Sequence, residues 1–453
     1  MIKGFKNAFK IPELRSRLLF TIGALIVFRI GTHITVPGID MSELNRFFDD
    51  ILSKGGEGGI GALLGLLNLF TGGALKQFAI FGLGVMPYIS ASIVMQLLQV
   101  VIPSLEKLAK EGEFGRKKIN VYTRYLTILL CIVQGIGILI YFKSAILAKA
   151  TGYKILIGDS VDFWFSFNFV LILTAGTMFL LWLGEQITER GVGNGVSVLI
   201  FAGIVARIPG VLYNAVTLGT TEGNSIKLII LGIIFAFLIA IVILIQQGER
   251  RVAVRYAKRV VGNKLYQGQN TYIPFKVDPA GVIAIIFASS VILFPSQILG
   301  TFGANSRILT KIANLLSPGS IIYYFLYLLL VIFFCYFYTA ILYNPQEMAE
   351  HIKKNGGFIP GIRPGQQTSL FLQKLLNRLI LPGAIIVGFI AITPSIISHV
   401  LDVPYSVADI LGGTSLLIMV GVALDTLKQI ESQLRSRNME GFLKHGRIKG
   451  RYY

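Results

Sequence analysis

Ten apolar stretches, each long enough to cross a bilayer, take up most of this chain, and almost all of its charge lies between them. They fall at roughly 18–38, 77–102, 121–142, 166–184, 195–214, 228–247, 279–299, 320–343, 379–400 and 406–427. A helix needs about 20 apolar residues to span the hydrocarbon core. Backbone polar groups cannot be left unpaired in lipid, so such stretches must be helices. A membrane β-barrel would show short segments of alternating polarity, and these runs do not alternate. The expected fold class is an all-α polytopic membrane protein with ten transmembrane helices. With 54% hydrophobic and 14% charged residues, its main solvent is lipid.

Charge sets the orientation. Of the 42 Lys and Arg residues, 29 lie in the N-terminal segment, the connections after spans 2, 4, 6 and 8, and the C-terminal tail. The opposite side holds 10, and Arg29, Arg124 and Arg378 lie within or against spans. The positive-inside rule places the richer side, and both termini, in the cytoplasm. The net charge of +19 is then a cytoplasmic face. It is either simple topology or a docking surface for something acidic, such as anionic lipids, ribosomal RNA or an acidic protein.

The first span runs through Arg29 and His33 to Pro37 without a small-residue cleavage site, so it reads as retained. Cys131 and Cys335 fall inside spans and imply no disulfide framework. The four His residues lack metal-ligand spacing, and no nucleotide loop, nucleophile elbow or zinc-protease pattern occurs. No cofactor, metal or catalytic residue is expected, and the chain does not read as an enzyme.

Four segments stand out. Residues 1–17 are basic and amphipathic and should lie on the cytoplasmic membrane surface. Arg29 is a rare charge at membrane depth, satisfied by an internal ion pair or carbonyl, or facing a functional interior. Between spans 1 and 2, a Gly-rich lead precedes Gly61–Phe70 (GALLGLLNLF) and Thr71-Gly72-Gly73. This run is too short to span and too apolar for bulk water, which leaves a packed external half-helix or a re-entrant, movable stopper. The connection 248–278 carries seven basic residues and turn signals at Gly262-Asn263 and Gly268, with strand character over Leu265–Pro274; a projecting hairpin is expected. In the connection after span 8, Gly361-Ile362-Arg363-Pro364-Gly365 should hold Arg363 stiff and exposed.

Residues Leu19–Asp40, Thr71–Gln96, Thr177–Gly195, Tyr256–Arg259 with Val277–Pro295, Asn355–Thr368 and Gly412–Leu417 resemble the SecY family, the channel subunits of the bacterial protein translocase. The resemblance covers nearly the whole chain. It implies two pseudo-symmetric halves of five helices, plus a re-entrant plug half-helix. The divisions would be a cytoplasmic segment at 1–17, an N-terminal half at 18–214 with the plug at about 60–73, a C-terminal half at 215–427 with cytoplasmic loops at 248–278 and 344–375, and a basic tail at 428–453. It implies a pore ring of Val85, Ile89, Val196, Ile200, Ile286 and Ile418, in which two Val stand where Ile is commoner. It places Leu63, Leu64, Leu67, Asn68 and Phe70 in the plug, and Ser90, Gln96, Gln134 and Ser289 on a lateral gate. Arg250, Arg251, Arg255, Lys258, Arg259 and Arg363 would form a docking surface for a motor or a ribosome. The implied partners are the small subunits SecE and SecG, the SecA motor ATPase, the ribosome, preproteins bearing signal sequences, and anionic lipids. The implied location is the bacterial inner membrane. The implied function is conduction of unfolded secretory proteins across the membrane, with lateral release of apolar segments.

Two other classes fit the hydropathy. A secondary transporter also uses a helical bundle, but spans 2, 7 and 8 carry no acidic, basic or His side chain. A membrane scaffold could use the basic face, but has no need of the Gly61–Phe70 segment.

Overall fold

A computed structural model describes residues 11–46, 68, 71–147, 162–221, 225–256, 259–261, 264–266, 270–302, 312, 315–316, 320–401, 403, 407–408 and 412–445. Each of the ten expected stretches carries a helix: α1 (Pro12–Gly31), α2 (Met86–Val101), α4 (Glu113–Leu147), α5 (Phe163–Arg190), α6 (Gly195–Thr221), α7 (Ser225–Gln247), α8 (Gly281–Phe302), α9 (Ile321–Leu342), α11 (Gln366–Leu401) and α12 (Gly413–His445). Two short amphipathic helices, α3 (Pro103–Lys110) and α10 (Pro345–Lys354), stand in the connections after the second and eighth stretches. Among the described residues, seven helices are long and apolar enough to cross a membrane, and the bent pair α2–α3 makes an eighth. The 101° break in that pair falls at Ile102-Pro103. Ile102 is extended (φ −100°, ψ 111°), as a residue before proline must be.

Helix ends depart from the hydropathy in two places. The first helix covers 12–31 and not 18–38, because Arg15 and Arg17 have aliphatic stems that a helix end tolerates. Beyond it, Val36 donates to the Phe78 carbonyl (2.9 Å) and Ile80 to the Ile34 carbonyl (2.9 Å), a small ladder and not a helix. The second helix starts at Met86, where an apolar pattern starts it at 77. Residues 71–85 are consecutive turns, with positive φ at Gly72, Gly73, Phe78 and Gly84.

The chain packs as two compact units. The first comprises Met1–Gly210, Gln297–Thr310 and Met419–Tyr453. In it α2 packs on α4, α4 on α5, and α1 on α5. Val36, Ile39, Leu44, Phe78, Leu83, Cys131, Phe169 and Leu173 form one buried cluster. Arg124 is accounted for here: on α4, it pairs bidentately with Glu185 of α5 (2.6 and 2.7 Å). The connection 191–194 is stitched down, with Val192 N–H donating to Thr21 Oγ1 (3.1 Å) and Gly193 N–H to Gln429 Oε1 (2.6 Å).

The second unit comprises Val211–Ser296 and Lys311–Ile418. In it α9 and α10 pack on α11, and α7 touches α11. The expected hairpin is present and longer than its strand signal: β1 (Glu249–Tyr256) pairs antiparallel with β4 (Asn270–Lys276), and β2 (Arg259–Val261) with β3 (Lys264–Tyr266). On the other edge of β1 lies β5 (Gly357–Phe358), from the connection after span 8, giving the order β4-β1-β5.

A candidate conduction path and docking surface

Four of the six ring candidates lie in the first unit. Val85 caps the N-terminus of α2 and Ile89 follows one turn later, its N–H donating to the Val85 carbonyl (3.1 Å). Val196 and Ile200 sit one turn apart at the start of α6, so each pair lines a single helix face. Val85, Ile89 and Ile200 are buried, and Val196 packs at Gly184 of α5. In the second unit, Ile286 of α8 and Ile418 of α12 are buried. The Ile286 carbonyl accepts from Ser289 Oγ (2.9 Å), and Gln246 Nε2 donates to the Leu417 carbonyl beside Ile418 (3.4 Å).

The gate candidates Ser90 and Gln96 are half-buried on α2, and Gln134 is half-buried on α4, the helix that α2 packs against. Gln96 donates to Ser92 (3.4 Å) within α2. Ser289 is buried and bonds within its own helix, so its hydroxyl is already satisfied there. Of the stopper residues, Leu63, Leu64, Leu67 and Phe70 lie outside the described residues, and Asn68 is buried at the segment's C-terminal end.

The basic face has a firm frame. Along β1, Val252 and Val254 are buried while Arg251 and Arg255 are exposed on the opposite face, with Arg250 exposed at the strand start. Glu249 pairs with Arg251 (2.6 Å). Arg259 stands in β2, and Lys258 lies outside the described residues. Arg363 is exposed between Gly361 (φ 82°) and Gly365 (φ 104°), where only glycine is comfortable. Its carbonyl accepts from Thr368 Oγ1 (2.9 Å), and Ile362 N–H donates to the Ile359 carbonyl (3.0 Å). The pairs Arg255–Phe358 and Tyr256–Gly357 join the two basic connections through one backbone ladder. Sequence reading missed this joint, because a two-residue strand has no periodicity to detect. The one available signal was Gly356-Gly357: a Cβ at Gly357 would lie 3.0–3.2 Å from Tyr256, Val254 and Ile352.

Asp278 stands between β4 and α8, at the root of the hairpin. It is buried, and its Oδ1 accepts from Gly281 N–H (2.9 Å). Burial pushes its carboxyl up to about 6 from an ordinary 3.8, against the Gly281 bond and the Lys276 ammonium. At about 1.4 kcal/mol per unit, that difference is about 3 kcal/mol at most. The folded state holds the proton more tightly, so this carboxyl destabilises progressively as pH rises from about 4 through about 6. Asn keeps the cap and removes the charge. Asp278→Asn should therefore raise stability by about 1–2 kcal/mol at pH 8 and leave it nearly unchanged at pH 4. Thermal unfolding in detergent at both pH values checks this, and a lower midpoint for the variant at pH 8 would refute it.

The aliphatic candidates thus stand near the starts of four helices, the polar ones on α2, α4 and α8, and the basic ones on strands and a turn of the second unit. The SecY family model matches residues 79–427. A protein translocase subunit SecY from Streptomyces scabiei is 44% identical over 449 residues, which is 98% of this chain and all of that one. Among solved structures, one described as a protein conducting channel has TM-score 0.63 at 17% identity, over 93% of each chain. Sec61 in the canine ribosome-channel complex from the endoplasmic reticulum gives TM-score 0.60, again at 17% identity over 93% of each.

Proposed function

The chain belongs to the SecY family, and from that premise we propose how its residues serve a channel that conducts unfolded proteins across, and releases apolar segments into, the bacterial inner membrane. The observation that carries this reading is the 44% identity over 98% of the chain to a translocase subunit. A polar unfolded chain cannot cross about 30 Å of hydrocarbon without a wet path. Val85, Ile89, Val196, Ile200, Ile286 and Ile418 form an aliphatic constriction that closes such a path by dewetting. Aliphatic side chains make few directional contacts, so the constriction accepts substrates of any sequence. The family resemblance gives Gly61–Phe70 the role of a stopper that fills this path at rest. Ser90, Gln96, Gln134 and Ser289 lie along a seam through which apolar segments leave for lipid.

The driving force comes from partners. The strand β1 and the turn around Arg363 present Arg250, Arg251, Arg255 and Arg363 to the SecA motor or a ribosome, with Lys258 and Arg259 next along the chain and both termini on that cytoplasmic side. Anionic lipids meet the remaining basic surface. SecE and SecG complete the membrane complex.

The test is reconstitution. Vesicles holding this chain with SecE and SecG receive the motor ATPase, ATP and a secretory precursor, and protection of the precursor from protease is measured. ATP-dependent protection is expected. Its absence, with the motor bound and hydrolysing ATP, would overturn the reading.

A further inference from the structure

Four residues, Val277-Asp278-Pro279-Ala280, separate β4 of the basic hairpin from α8, the helix that bears Ile286 and Ser289. Each is tied down. Val277 N–H donates to the Gly248 carbonyl (2.9 Å), at the point where α7 passes into β1. The Val277 carbonyl lies against α11, so close that a Cβ on Gly383 would stand 2.6 Å from it. Asp278 Oδ1 accepts from the N–H of Gly281, the first residue of α8 (2.9 Å). Pro279 has its φ fixed by its ring, and Ala280 is buried.

The bodies on either side of this joint are firm. Upstream, β1 pairs with β4 from Glu249–Lys276 to Arg255–Asn270, and the buried Phe275 packs its ring on Tyr343 at the end of α9 (5.7 Å). Downstream, Ala284, Ile285 and Ile286 are buried. Between them stands Gly281, with φ 55° and open space where a Cβ would point. A glycine in that conformation is a pivot. The Asp278 carboxyl reaches across it, and does so from a buried position, 7% exposed. Keeping an acid buried there works against folding at neutral pH, and local costs of this kind concentrate at functional positions.

We propose that Asp278 is a positioning residue for conduction: its bond to Gly281 fixes the start of α8 to the root of the docking hairpin, so that Ile286 and Ser289 move with β1. With the bond in place, strand and helix act as one lever. Without it, α8 swings about Gly281 and a push on β1 is absorbed at the joint. A carboxylate accepting from a backbone N–H is a strong bond, and stronger in a buried site. Gly383 is the second support, because α11 backs the Val277 carbonyl and keeps the joint from yielding. The inference rests on the reading of the chain as a channel whose driving partner docks on β1.

The test uses the complete complex with its small subunits in vesicles, with the motor ATPase, ATP and a secretory precursor. Motor affinity, ATP hydrolysis and precursor protected per ATP hydrolysed are measured together. Asp278→Ala removes the acceptor and leaves every docking residue in place. Motor affinity and ATP hydrolysis should persist, while precursor protected per ATP falls about ten-fold, in line with the loss of a helix cap. Asp278→Asn should restore most of that yield, since Asn caps as well as Asp does. Gly383→Ala, on a different helix, should lower the yield in the same way with motor affinity unchanged. Thermal unfolding separates these effects from loss of the fold. If Asp278→Ala leaves the yield at the parent's level, or lowers it only as far as it lowers motor affinity, the coupling is refuted and the channel reading stands. If Asp278→Asn falls as far as Asp278→Ala, the Gly281 bond does not position α8 and the proposal is overturned. If the parent complex itself gives no ATP-dependent protection, the channel reading falls, and the coupling with it.

Discussion

Replacing Arg363 by Glu is expected to cut motor-driven translocation by about two orders of magnitude while leaving the fold intact. Arg363 is exposed and its side chain is not part of either core. Surface substitutions away from packed features change stability by about 0.5 kcal/mol or less. What Glu changes is the charge presented to a partner. Losing one side of a desolvated charge pair costs about 2–5 kcal/mol, and reversal adds repulsion. The backbone around it argues for a contact and not a solvated tether. Two left-handed glycines, a proline and the Thr368 bond to its carbonyl hold the position still, and fixed geometry is what a docking residue needs. The measurements are ATP-dependent precursor protection and motor binding, with thermal unfolding as the fold control. Wild-type rates from Arg363→Glu would remove it from the docking surface. Gly357→Val gives an independent check, since it crowds Tyr256, Val254 and Ile352 and disturbs the joint between β1 and β5. It should lower translocation by about three- to ten-fold, because it displaces Arg363 without changing its charge.

The helices were legible because a lipid solvent writes itself into composition. An apolar run of the right length is nearly unambiguous whatever its periodicity. What hydropathy could not read is where a run stops being helical. Residues 77–85 are as apolar as the helix that follows. They turn instead because Gly82 and Gly84 interrupt them, Phe78 takes φ 43°, and the segment pairs with Ile34 and Val36. The docking frame was half legible. Turn residues marked the hairpin, but β5 joins it from about 100 residues further along, and long-range pairing leaves no local trace. Arg29 was conspicuous by its charge alone, but its partner was not: its Nη1 donates to the Gly72 carbonyl (3.3 Å), and a carbonyl has no side-chain signature. The roles assigned to the ring and gate residues came from family resemblance. Valine and isoleucine in an apolar helix are indistinguishable from packing by pattern.

That indistinguishability is why the ring needs a functional measurement, and the expected effect is large. Exchanging Ile89 and Ile286 together for Ser should raise resting ion conductance in planar bilayers by about 100-fold. The two residues lie in different packing units. Each Ile→Ser change removes an aliphatic side chain whose burial is worth about 1.5–3 kcal/mol and puts a hydroxyl where the proposed constriction excludes water. Both effects lower the free energy of a hydrated path. About 2.7 kcal/mol of net change suffices for 100-fold, and the two substitutions together remove more than that. Packing residues would behave differently. They would lose about 1–3 kcal/mol of stability each, seen as a lower unfolding midpoint, with conductance unchanged. Conductance and melting therefore separate the two roles. The single variant Val85→Ile supplies the opposite sign: one added methylene at the start of α2 should narrow the constriction and lower any residual leak. If the double Ser variant melts low and stays tight, these two residues are core and the barrier lies elsewhere along the path.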